Sequence, residues 1–286
     1  MSPSTPDLLR ALVDDAAVFP PGNAPLPEAV TRHAEHRASP YGRAVGPLLV
    51  PAASASDLLT ELDAGRWPGP DPLDVTPVAR PGTDPAVLAG AVAVLLADPR
   101  VAVVGVELGW TEDWRRLGLP GELPLALEVP RGAAQAGAVA DIRTAVAEGD
   151  AVVAKFRTGP TATWAWPDED ELAAFLHTAA AAPVPFKLTG GLHHAVRGRY
   201  EVDGGPEENH GVLNVLVATA AAVDGAGRDE LTALLGVRDA AALAALVGAW
   251  SHATDHRVRT ALTSFGCCTV TDPLGELADL GIRVAT

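Results

Sequence analysis

The sequence predicts an α/β fold, a (β/α)8 TIM barrel with a helical extension before its last strand. Three observations predict it. Short runs rich in Val and Leu alternate with Ala/Leu/Glu stretches of helical period, which is the βαβα pattern of a parallel sheet or barrel. Eight such runs end in polar or Gly/Pro-rich segments. The chain has 286 residues, 48% of them hydrophobic, enough for a barrel of about 250 residues as one domain. No linker, low-complexity tract or repeat of about 20–50 residues divides it. Residues 1–286 therefore read as a single domain.

The first run is Asp15–Phe19, and "FPPGNAPLPEAV" after it gives a turn and then a helix. The second to fourth runs are Pro47–Pro51, Asp74–Ala79 and Val101–Glu107. The fifth, Leu123–Glu128, is followed by a helix over Ala133–Glu148. The sixth, Ala151–Phe156, is followed by a helix over Asp168–Ala181. Pro167 and the acidic residues behind it suit the positive end of that helix. The seventh run is Val184–Thr189. Residues 195–262 then exceed a normal connection between strands. In them "RGRYEVDGGPEENHG" reads as a loop, and "HGVLNVLVATAAAV" and "RDAAALAALVGAW" as two or more added helices. This extension is a candidate lid or homodimer interface. The eighth run, Thr263–Cys268, leads into a helix over Pro273–Leu280.

The net charge of −15 and pI near 4.8 leave no basic stripe for nucleic acid and disfavour an anionic membrane surface. Cys267 and Cys268 are neighbours, a poor geometry for a disulfide, and no spaced cysteine framework points to secretion. The N-terminal stretch lacks a basic region followed by an apolar core, so no signal peptide is expected. The longest apolar run is too short to cross a bilayer. A cytoplasmic protein acting on a small molecule is the expectation. Ala, Gly, Pro and Arg are abundant in the manner of a high-GC coding sequence, so single arginines carry little weight.

Against that background lysine stands out. Lys155 and Lys187 are the only two lysines among 21 Lys plus Arg. Polar residues at the C-terminal ends of barrel strands build the active site, and those ends here carry Glu107, Glu128, Lys155, Arg157 and Lys187. Side chains alternate along a strand, so Lys155 and Arg157 share a face, as do Lys187 and Thr189. The opposite faces are apolar, which turns both lysines inward on neighbouring strands. Two ammonium groups in a confined site each ease the other's loss of a proton. A neutral lysine amine can form a Schiff base with a carbonyl, whereas arginine stays protonated. The plain alternative is a lysine held in a salt bridge with Glu107 or Glu128.

Here the sequence resembles the deoxyribose-phosphate aldolase family of class I aldolases. "VVAKFRTG" is similar to that family's strand with a lysine before Thr-Ser-Thr-Gly, through Lys155, Thr158 and Gly159. "VPFKLTGGLHH" is similar to its Phe-Lys-Pro-Ala-Gly-Gly strand, through Phe186, Lys187, Gly190 and Gly191. "LPLALEVP" resembles its Glu-Thr strand through Glu128, and "SFGCCTVTDPLGELADLG" its last strand and helix. The match covers roughly residues 100–194 and 263–281. The resemblance implies that Lys155 forms the Schiff base and Lys187 lowers its pKa. Glu107 stands near the acidic residue that moves protons with water, and Gly190, Gly191 and Gly266 stand where backbone amides hold phosphate. No cofactor is implied. Departures are plain: Cys268 and Thr269 replace two serines, Arg157 replaces a small residue, the Glu107-to-Glu128 segment is short, and the extension is foreign. A substrate other than deoxyribose phosphate is expected, with Arg157 gripping its anionic group.

Other features admit other readings. His193 and His194 follow the Gly pair and could touch substrate. One of them, with Glu107 and Glu128, could instead hold a divalent metal for lyase, isomerase or hydrolase chemistry on a carboxylated substrate. A third reading is a barrel that only binds a small anion. Asp14 and Asp15 precede the first expected strand, and one could point into the site. Glu207, Glu208, Asn209 and His210 read as a solvated loop, the cysteines as small packing residues, and Trp164 with Trp166 as a loop clasp.

Overall fold

Each barrel strand is a short apolar run whose β-branched and leucine side chains fit a surface buried on both faces. The computed structural model describes residues 8–80, 82–119, 122–161, 164–202 and 205–283. Its strands are β1 (Val13–Asp15), β2 (Val45–Pro51), β3 (Leu73–Val78), β4 (Val101–Val103), β5 (Val106–Gly109), β6 (Leu125–Glu128), β7 (Val152–Arg157), β8 (Phe186–Thr189), β9 (Gly198–Val202), β10 (Gly205–Asn209) and β11 (Leu262–Cys267). The parallel order β2-β1-β11-β8-β7-β6-β5-β3 is closed by pairing of β2 with β3. The result is a closed eight-stranded (β/α)8 barrel. β4 pairs only with the start of β3. It continues into β5 after a break at Val104–Gly105, so the expected fourth run fills one barrel position in two pieces.

The first strand lies earlier than the apolar run Asp15–Phe19 suggests. Asp15 Oδ1 accepts from the Ala17 amide at 3.1 Å, and the Phe19 amide reaches Ala16 O at 2.8 Å. Those two bonds turn the chain, as an aspartate near a turn does. Ala16 and Phe19 are apolar because they wall a cleft. Within β1, alternation turns Asp14 inward and Asp15 outward. Asp15 Oδ2 meets His33 Nδ1 at 3.0 Å against helix Leu26–Ala38.

Part of the stretch expected as a loop after β8 is an antiparallel hairpin, β9 against β10. Arg199 stands opposite Glu208 in its register, a favourable cross-strand charge pair. Four helices follow: Val212–Val223, Arg228–Leu235, Ala240–Gly248 and His252–Ala261. The first is apolar nearly all round and nine of its residues are buried, as a core helix requires. Its Asn214 donates from Nδ2 to Leu234 O at 3.0 Å and Val237 O at 2.7 Å. Those are carbonyls at and just beyond the end of the next helix, where the intrahelical bonds run out. Leu213, Leu231 and Leu243 join one continuous core with barrel residues such as Val75 and Phe156. No single described helix is long and apolar enough to cross a membrane.

Candidate active site

Four adjacent strands carry the charged residues of the barrel interior. Glu107 on β5, Glu128 on β6, Lys155 on β7 and Lys187 on β8 all sit at or near strand C-terminal ends. The parallel register places Glu128 beside Lys155 and Lys155 beside Lys187. Asp14 on β1 and Arg157, two residues beyond Lys155, complete the group.

These six side chains form a row of alternating charge. Lys187 Nζ is 2.6 Å from Asp14 Oδ2 and also bonds Glu107 Oε1. Lys155 Nζ is 2.8 Å from Glu107 Oε2 and 2.9 Å from Glu128 Oε2. Arg157 Nε donates to Glu128 Oε1 at 2.9 Å. Ser264 Oγ donates to Asp14 Oδ2 at 2.7 Å. Lys155 is 3% exposed and Glu107 1%, so that pair is fully buried, while Arg157 and Glu128 keep partial contact with solvent.

The lysines do not face each other bare, because Glu107 lies between them. Burial opposes the Glu107 charge, but Lys155 and Lys187 together overcome it and bring the carboxyl down to about 2. Burial likewise opposes the Glu128 charge, and Lys155 and Arg157 bring it to about 2. Burial also works against the Lys187 ammonium, yet Asp14 and Glu107 hold its pKa above the ordinary lysine value. Lys187 is thus fixed as a cation rather than eased toward neutrality, the opposite of what two unscreened lysines would do.

A cleft opens above the row at the C-terminal end of the barrel. Lys155, Glu107, Glu128, Arg157, Gly190, His193 and Gly266 line it, together with Phe19, Arg80 and Cys268. Lys187 lies below Glu107 and faces a second cavity, toward the other end of the barrel, with Asp14 and Ser264. Three expected residues are turned elsewhere. Thr158 is buried and donates to Gly190 O at 2.6 Å. His194 meets Glu276 Oε1 at 2.7 Å and stacks on Tyr200. Gly191, at φ +98°, lies under Trp166, whose ring a Cβ there would strike.

His193 Nδ1 is 3.2 Å from Thr269 Oγ1. Burial, and then His194, lower its pKa, which favours the neutral ring. Burial raises the Cys267 thiol to about 12 and also raises Cys268, so neither is an activated thiolate. Among the described residues no three His, Cys, Asp or Glu side chains are grouped to hold a metal ion. No family model, curated protein or solved structure matches this chain.

Sequence reasoning did not commit to Asp14 and missed Arg80. The alternation of "LVDDA" would have turned Asp14 inward had the strand been drawn from Val13. Arg80, two residues past β3, gave no signal in a chain where arginine replaces lysine almost everywhere.

Proposed function

We propose that this protein is a carbon–carbon lyase of the class I aldolase type, acting through a Schiff base on Lys155. One observation carries the reading: Lys155 lines the cleft while its amine touches two buried carboxylates. A nucleophilic lysine needs both access to substrate and a proton acceptor within hydrogen-bond reach. Glu107 and Glu128 supply the acceptor. Their acidity depends on the positive charge of Lys155, so transfer of its proton to either one weakens that pull and lets burial raise the carboxyl. The proton then stays inside the cluster and its total charge does not change.

The neutral amine adds to the carbonyl carbon of the substrate, forming a C–N bond, and the carbonyl oxygen takes a proton. Loss of that oxygen as water, with a second proton, leaves a protonated imine. Cleavage of the bond between the α- and β-carbons, as the β-hydroxyl gives up its proton and the β-carbon leaves as a carbonyl, or removal of an α-proton, sends its electron pair toward the imine nitrogen. Glu107 or Glu128 exchanges protons with that centre, and Lys187 keeps the rear of the site positive. Arg157, fixed by Glu128, orients that carboxylate.

Proton exchange tests this reading without knowledge of the second substrate. In D2O the protein should replace the α-hydrogens of acetaldehyde, acetone or pyruvate with deuterium, read by proton NMR. Lys155→Ala should reduce the rate to that of buffer. Exchange that persists in Lys155→Ala would place the chemistry elsewhere.

A further inference from the structure

The charges of the cleft do not cancel, and the remainder points to the substrate. Asp14, Glu107 and Glu128 match Lys187, Lys155 and Arg157 one for one in contact. His193 is shifted toward the neutral ring and Cys268 toward the thiol. One charged side chain on the cleft wall remains, Arg80. Its guanidinium lies over the Phe19 ring, 5.3 Å from the centroid. Among the described residues no carboxylate pairs with it. Arg80 is exposed at the mouth of the cleft, so its charge is met by solvent until a ligand takes that place.

The backbone just before Arg80 is anchored to the barrel. The Ala79 amide donates to Glu107 O at 2.7 Å, which joins the end of β3 to the strand carrying Glu107. Phe19 lies beneath the guanidinium, and among the described residues no carboxylate occupies its N–H groups. A guanidinium edge is a two-pronged donor matched to a carboxylate.

The opposite wall is less suited to an anion. Arg157 has committed Nε and Nη2 to Glu128. The Gly190 amide points at Gly266 O at 3.4 Å, and Trp166 covers Gly191. The glycine turn therefore offers no open cradle of amides. A phosphate monoester would bring a charge of about −1.5 to −2 against a single unmatched cation.

We infer that Arg80 is the specificity-determining residue of the cleft, that it binds a carboxylate, and that the substrate is an oxo acid. This rests on the Schiff-base reading. The substrate carbonyl goes to Lys155, and its one carboxylate goes to Arg80 on the β3 side of the mouth.

Matched probes separate the two claims. Unbranched ω-oxo acids of two to six carbons, the corresponding simple aldehydes, and glycolaldehyde phosphate are each trapped on the protein with cyanoborohydride. The rate of adduct formation at Lys155 is followed by mass spectrometry. At least one oxo acid should label Lys155 about tenfold faster than its matched aldehyde, equivalent to about 1.4 kcal/mol. Arg80→Gln should bring that ratio close to one, and Arg80→Lys, which keeps the charge without the fork, should fall between. Circular dichroism checks that the variants are folded. A ratio near one in the unaltered protein, a ratio that survives Arg80→Gln, or fastest labelling by glycolaldehyde phosphate overturns the inference and leaves the Schiff base standing. No adduct at Lys155 from any probe removes the Schiff base, and the inference with it.

Discussion

At Glu107 one carboxylate serves two lysines, with an oxygen for each. Removing a partner from a buried ion pair leaves the others charged and dry, which costs about 3–5 kcal/mol. Glu107→Gln should therefore lower the free energy of urea unfolding by an amount in that range, whereas exposed Glu122→Gln should change it little. Gly191 makes a different kind of demand. Its φ of +98° and the Trp166 ring above it leave no room for a methyl group. Gly191→Ala should cost more than about 1 kcal/mol in the same assay and increase the exposure of Trp166, read by fluorescence. The lysine pair was legible at this scale because two lysines in an arginine-rich chain are conspicuous. Their partners were less so. Which carboxylate meets which amine depends on barrel register, and the sequence does not display register directly.

Among the elements, the β9–β10 hairpin was the least legible. Its second strand, "GPEEN", has no apolar alternation, and although Arg199 and Glu201 alternate with Tyr200 and Val202 in the first, that run is too short to stand out as a strand by itself. Contacts to the barrel hold it. Arg197, 8% exposed, bonds Glu169 at 2.6 Å and Asn209 O at 3.1 Å. It ties the hairpin to the helix Glu169–Ala181. Arg197→Ala removes charge-assisted bonds of about 1.5–3 kcal/mol each. It should make residues 198–209 the first site of trypsin or Glu-specific cleavage in limited proteolysis, with the barrel strands still protected. The apolar strands and helices could be read ahead of the structure because one period, 2 or 3.6, dominated each of them. β1 was misplaced by four residues at its end, because Ala16–Phe19 is apolar for the sake of the cleft rather than of a strand.

For the whole molecule, two carboxylates of the charged row, Glu107 and Glu128, make barrel stability fall in acid, while Asp14, raised by burial, works the other way. Glu107 and Glu128 are depressed from 4.5 to about 2. Each therefore contributes stability that is fully present above pH 4.5 and is lost as pH falls toward 2. The melting temperature should hold near neutrality and fall across that window, and Glu128→Gln should make the fall shallower. The closed barrel was foreseeable from eight alternating units and chain length. The order of charges across its interior was not, since it depends on strands distant in sequence, β1 and β8 above all, meeting across the closed sheet. The chain's two lysines also permit a direct assignment of the nucleophile. The protein is incubated with a small aldehyde and borohydride, digested, and the reduced adduct is located between Lys155 and Lys187. The adduct should lie on Lys155, which lines the cleft, with Lys187 unmodified in the folded protein because it lies below Glu107, away from that cleft. An adduct on Lys187, equal labelling of both lysines, or none on either would contradict the proposed chemistry.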